Sequence, residues 1–345
     1  MESRSLHVDE REALLELLDG WELADGWRGR DFFRRYIEID PSYEDRNVWV
    51  AVEDGALVSC VQIFPRQLRL LGHAVPTGGI GSVFTRADKR GAGVAGEVLD
   101  RAVEAMKARG MELAILFGRP VGLYKNHGWG SWKCQRTVLR LADPTAVPPR
   151  IGDVEIAPFD WERDFEAVRA IHSVYSAPRN GTVVRDAAHW AASFRLSGNP
   201  AEEFVVARRE GKPVAYARAT LLFEVFMVTE LGRLEDAAEP LAELILALLS
   251  PRDPDPLAPP GKTSRELRSF AVLPAFDDIP LTVAIEGRRV STHPVDDPAN
   301  MLLCLSAPAL AERLDVSLLP GETGEEILRR LLPEQSLVFW PADRF

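Results

Sequence analysis

The run Val83-Phe84-Thr85-Arg86-Ala87-Asp88-Lys89-Arg90-Gly91-Ala92-Gly93-Val94-Ala95 constrains this chain more than any other segment. It reads as a short strand, a turn and a glycine-rich lead into a helix. The first backbone N–H groups of a helix have no partner inside it and, with the aligned peptide dipoles, favour an anion there. Gly91 and Gly93 carry no Cβ, so a diphosphate can approach the main chain, and Arg90 offers a charged donor. Ile80 to Thr85 reads as the strand, and Val94, Val98, Leu99, Ala102, Val103 and Met106 recur at helical spacing until Gly110. A dinucleotide-binding βαβ unit would place the glycines directly after the strand and an acid about 20 residues later. Here the strand ends several residues earlier, and Leu116-Phe117-Gly118 supplies no acid.

Arg90-Gly91-Ala92-Gly93-Val94-Ala95 resembles the acyl-CoA-binding motif of the GNAT N-acetyltransferase superfamily. After the apolar run Met111 to Phe117, Tyr124-Lys125-Asn126-His127-Gly128-Trp129 is similar to that superfamily's Tyr-x-x-x-Gly-aromatic element. The resemblance implies acetyl-CoA as cosubstrate, no metal, and transfer of an acetyl group to a primary amine inside a ternary complex. It assigns cofactor binding to Val83, Phe84, Thr85, Arg90, Gly91, Ala92, Gly93, Val94 and Ala95, with Tyr124 as the acid for the departing thiolate. A tyrosine suits that task because, with an ordinary pKa of about 10, it holds its proton at neutral pH. His127 titrates nearer neutrality, but its neighbours read as a surface turn. The competing reading is a non-catalytic acyl-CoA sensor or interaction protein on the same scaffold.

The second half repeats the order of elements. Trp161 to Tyr175 reads as a helix, Phe204 to Arg208 and Pro213 to Thr220 as a strand pair, Phe226 to Leu231 as a strand, and Ala237 to Leu249 as a helix. Its lead into that last helix, Gly232-Arg233-Leu234-Glu235-Asp236, lacks paired glycines and carries two carboxylates that would repel a phosphate. The expected fold is therefore α/β with mixed (α+β) sheets, in two tandem GNAT-like domains of which the second is degenerate. The first covers residues 1–142, a proline-rich linker 143–152, the second domain 153–299 and a C-terminal extension 300–345. In the first domain, helices are expected over Val8 to Trp21 and Asp31 to Ile37, and strands over Val48 to Val52, Ala56 to Phe64, Gln67 to Leu71 and Thr137 to Leu141. Gly72 and Pro76 to Gly79 read as turns.

The tandem layout, with Pro76-Thr77-Gly78-Gly79-Ile80 leading into the motif, is similar to acetyltransferases of the enhanced intracellular survival (Eis) family. Some members use the terminal carboxylate as general base, which here implies Phe345. Relatives also assemble into rings, so a homo-oligomer is a possible state. Glu38, Asp40 and Glu44 read as mostly solvated charges, and Trp21, Trp27 and Tyr36 as pocket lining or core.

Composition narrows the partners. A net charge of −11 argues against a nucleic-acid backbone and suits a cationic small substrate. Cys60, Cys134 and Cys304 are far apart and odd in number, which fits a reducing cytoplasm, and no run is long enough to cross a bilayer.

Overall fold

The structure is a computed structural model that describes residues 1–23, 27–118, 120–141, 154–196, 202–222, 225–259, 261–273, 278–287, 290–333, 337–338 and 343. In the first half, β1 (Glu2–Ser5), α1 (Arg11–Leu18) and α2 (Gly29–Ile39) precede β2 (Val48–Glu53), β3 (Ala56–Leu70) and β4 (His73–Thr85). Then come α3 (Val94–Ala108), β5 (Leu113–Phe117), α4 (Val121–Lys125) and β6 (Gly130–Leu141). The second half runs β7 (Val154–Pro158), α5 (Trp161–Ser176), α6 (Ala187–Leu196), β8 (Glu202–Arg209), β9 (Lys212–Leu222), β10 (Val225–Arg233) and α7 (Ala238–Leu249). It closes with α8 (Ser264–Arg268), β11 (Phe270–Leu273), α9 (Ile279–Glu286) and β12 (Val290–Cys304), followed by α10 (Ala307–Arg313) and α11 (Gly324–Leu331).

Each half has the expected mixed sheet, yet the two are not separate. Among the described residues one sheet of twelve strands runs in the order β1-β2-β3-β4-β5-β12-β6-β11-β10-β9-β8-β7. The closing strands are exchanged: β12 lies antiparallel to β5 of the first half, and β6 lies antiparallel to β11 of the second. β6 and β12 also pair with each other from Gly130 to Leu141. Backbone hydrogen bonds therefore cross the junction on both sides, and the halves cannot part without exposing two strand edges. Trp132 of β6 is fully buried there, and its indole N–H donates to the Leu332 carbonyl at 3.1 Å.

Helices cover both faces of the first half. The apolar stripe of α3, Val98, Leu99, Ala102 and Met106 at 0% exposure, packs with Val61, Ile63 and Ile80. On the other face Leu14, Leu15 and Leu18 of α1 and Phe33 and Tyr36 of α2 pack with Cys60, Phe64 and Phe84. Burying each large side chain contributes about 1.5–3 kcal/mol, so these two stripes fix how the helices clasp the sheet.

Two strand expectations need correction. The segments before and after Phe64 are one strand of 15 residues, and His73–Thr85 is one strand of 13, so Pro76 to Gly79 lies within β4. The turn is confined to Leu71 and Gly72, with φ of 49° and 83°. This long hairpin reaches the second half: Arg69 N–H donates to Thr182 O at 2.8 Å, Val184 N–H to Gln67 O at 2.8 Å, and Gly181 N–H to Arg69 O at 2.7 Å. Those bonds satisfy backbone groups that β2 does not reach, which is why the strand continues through sequence that looks like a turn.

Asp40 also departs from expectation. It is 5% exposed and pairs with Arg66 of β3 at 2.5 Å, while Tyr36 is core at 5%. The proposed linker lies outside the described residues, and the boundary after residue 299 falls inside β12.

Candidate active site

The site is built where β4 leaves β5. The two strands pair in parallel from Thr77↔Leu113 to Ile80↔Leu116 and no further, while β4 stays paired to β3 as far as Thr85. The β5-facing edge of residues 81–85 is thus open backbone in the interior of a sheet. Val83, Phe84 and Thr85, expected to face the cofactor, all lie on this stretch.

The chain then turns through Ala87–Lys89 and enters α3 with Gly93 as the residue before the helix. Gly91 and Gly93 both have φ of 80°, a region that disfavours side chains bearing a Cβ. A Cβ built on either would meet nothing within 4 Å. The space above the loop is therefore free, and a diphosphate could occupy it against the N–H groups of Val94 and Ala95. Gly91, Ala92 and Gly93 are exposed, whereas Val94 anchors the helix start at 4%.

Nearby carboxylates are held away from the cradle by partners. Asp88 takes the Arg86 guanidinium at 2.6 Å, Glu53 takes Lys89, and Glu97 accepts from Ser3 at 2.7 Å. Arg90 folds back, donating from Nε to the Thr85 carbonyl at 3.0 Å with its guanidinium over the Phe84 ring. It thereby ties the end of β4 to the loop.

Tyr124 sits on α4, the short helix after β5, and is 5% exposed. Its ring meets Trp129 edge-on at 6.5 Å, and a Cβ on Gly118 would come within 3.1 Å of its hydroxyl. The hydroxyl therefore lies at the end of β5. Among the described residues it has no hydrogen-bond partner, and burial pushes its pKa up to about 12. Such a group stays protonated at neutral pH. The helix is closed by the Tyr124 carbonyl, which accepts from His127 N–H at 2.9 Å and Trp129 N–H at 3.2 Å across Gly128 with φ of 84°. That closure is the local reason for the Tyr-x-x-x-Gly-aromatic spacing.

His127 turns elsewhere: its ring packs on Gly96 and its Nδ1 lies 2.6 Å from Asp100, both on α3. Phe345 lies outside the described residues. On the α1 side, a cavity of about 660 Å³ is lined by Asp9, Glu16, Gly20, Phe84, Arg86 and Arg90 among others. Trp21 borders this region, stacked on Phe84 with ring centroids 5.8 Å apart. Among the described residues no group of His, Cys, Asp and Glu is arranged to hold a metal ion, and no helix is long and apolar enough to cross a membrane.

Residues 9–132 match the acetyltransferase (GNAT) domain family. The fold is similar to that of a conserved protein from Enterococcus faecalis described as a probable N-acyltransferase, with a TM-score of 0.68 and 16% identity over 90% of this chain and 74% of that one. It is also similar to a GCN5-related N-acetyltransferase from Anabaena variabilis, with a TM-score of 0.66 and 12% identity over 90% and 74%. For Eis1 from Mycobacterium abscessus the TM-score is 0.58, with 15% identity over 90% and 75%. At these identities the three structures speak for the fold, and the domain family adds acyl transfer as the general chemistry.

Proposed function

We propose, from the premise that residues 9–132 form an acetyltransferase (GNAT) domain, that this chain is an acetyl-CoA-dependent N-acetyltransferase acting on a primary amine by direct transfer. The observation that carries the reading is the parting of β4 from β5 after Ile80, beside a loop whose two left-handed glycines leave open space. Acetyl-CoA supplies an activated acyl group as a thioester. Loop residues Gly91 to Ala95 would hold its diphosphate, and the β4 edge would pair with the pantetheine as an added strand.

The chemistry then needs three groups. N–H groups on the Val83 to Thr85 edge polarise the carbonyl, preorganised by the strand itself. Tyr124 donates its proton to the departing sulfur. The carboxylate of Phe345 is the proposed base for the amine. The cavity beside Phe84 is lined by both acids and arginines, and the net charge of −11 favours an acceptor that carries positive charge.

The test is a panel of amines assayed for free thiol release from acetyl-CoA, alongside calorimetry with coenzyme A. Binding plus thiol release with at least one primary amine is expected. Binding with no release across the panel would favour the sensor reading, and no binding would sink both.

A further inference from the structure

Ile80 and Phe84 are four residues apart on one strand, an even spacing that should put them on the same face. They lie on opposite faces, Ile80 against the α3 stripe and Phe84 against α1 and α2. The strand switches face at a bulge, where Ser82 and Val83 stand between the pairs Gln62↔Gly81 and Cys60↔Phe84, opposite Val61 alone. Ser82 has φ of 50°. That region is unfavourable for a residue bearing a Cβ, so this backbone persists only where its surroundings hold it.

Two residues of β3 do so. Ser82 Oγ donates to Gln62 Oε1 at 3.0 Å, and the Cys60 thiol donates to the Ser82 carbonyl at 3.2 Å. Gln62 and Ser82 are 3% and 8% exposed, so the pair is sheltered from competing water. The bulge of β10 in the second half is made differently. Between Val228 and Glu230 a single extra residue, Thr229, donates from Oγ1 to the Arg218 carbonyl at 3.3 Å, and no residue of β10 has positive φ. Of these two bulges, the one beside the open strand edge combines a left-handed residue with a hydrogen bond between two side chains, and the other has neither.

We infer that Gln62 and Ser82 are positioning residues for acyl transfer: together they hold the bulge that turns the β4 edge N–H groups onto the thioester carbonyl. This rests on the acyl-transfer reading. The glycine loop that would bind the diphosphate is a separate segment, so breaking the pin acts on the reacting carbonyl and spares affinity.

Ser82→Ala and Gln62→Met break the pin from its two sides. Each is expected to lower kcat about ten-fold, as small misplacements at a reacting centre do, with coenzyme A affinity by calorimetry within two-fold of the parent. Ser82→Asn tolerates the left-handed backbone and keeps a side-chain donor, so it should recover at least half of the loss. Ser82→Gly relieves the backbone while removing the hydroxyl, and should show the same loss of kcat even where Ser82→Ala folds poorly. Independently of turnover, infrared spectra of bound carbon-13 acetyl-CoA should show a thioester carbonyl shifted to lower frequency in the parent and returned toward its solution value in Ser82→Gly. Thr229→Ala should move neither readout. A parent chain that gives neither turnover nor a carbonyl shift overturns the acyl-transfer reading itself. An active parent whose Ser82→Gly and Gln62→Met variants keep its kcat and carbonyl frequency overturns the positioning inference alone.

Discussion

The two halves open the same gap in their sheets and then treat it in opposite ways. In the first, β4 parts from β5 after Ile80, and among the described residues no ion pair or hydrogen bond joins the end of β4 to α4. In the second, among the described residues β10 meets β11 only at Met227↔Val272, and the end of β10 is tied across to the helix that follows β11. Arg233 makes two 2.8 Å bonds to Asp278, the residue capping α9, and Tyr175 of α5 donates to the same carboxylate at 2.8 Å. Burial opposes ionisation of Asp278, but its bonds from Arg233 and Tyr175 outweigh that and keep the carboxyl below its ordinary range. A shared scaffold therefore sets where a strand-edge site can exist, and a few side chains decide whether it is left open or tied shut.

The largest effect expected on this contrast is at Tyr124. Tyr124→Phe removes the proposed proton donor from the open side and should lower kcat by about 100-fold or more, with coenzyme A affinity unchanged by calorimetry. A variant with parent kcat would mean that the hydroxyl is only packing.

Next is the closed side. Arg233→Met leaves the fully buried Asp278 carboxylate without its cation, which costs about 3 kcal/mol by the usual penalty for breaking a buried pair. Urea unfolding should show that loss while coenzyme A affinity stays put. A fall in affinity would mean that the second half takes part in binding.

A smaller effect is expected at the loop. Gly93→Val forces a branched side chain into φ of 80° and into the open cradle, so coenzyme A affinity should drop about ten-fold given a left-handed cost of 1–2 kcal/mol. Asp236→Val, at the matching lead into α7, should leave affinity as it was.

The gentlest test is pH. His172, 2% exposed in the second half, has its pKa pushed down to about 3, first by burial and then by the nearby Arg185 charge. The folded value lies below the ordinary 6.5, so the unfolded chain takes up a proton first as pH falls. Its contribution to stability is thus intact above about pH 6.5 and is lost progressively toward pH 3, on the order of 1 kcal/mol per pH unit. In His172→Gln, unfolding midpoints measured between pH 6.5 and 4.5 should fall less steeply than in the parent. An equal slope would mean that the imidazole is not buried neutral.

Much of the open side was legible from the chain alone because its signals are local. The glycines at 91 and 93, the periodicity of α3 and the spacing from Tyr124 to Trp129 each report backbone geometry within a turn or two. The same holds for the missing glycines before α7. Ser82 gave no such signal: a serine in a β-rich run does not announce a left-handed backbone, and its partner Gln62 is on another strand. Asp40 likewise read as a surface charge because Arg66, which pairs with it, is remote in sequence.

By itself, then, the sequence determined the two-fold order of elements, the loop before α3 and the placing of Tyr124 after β5, since each follows from conformational preferences of adjacent residues. Tertiary structure decided the exchange of β6 and β12, the reach of the β3–β4 hairpin, the bulge at Ser82 and the Arg233–Asp278 tie. All four depend on which distant strands come to lie side by side, and the free energy of such pairing comes from register, burial and hydrogen bonds that no short window of residues contains.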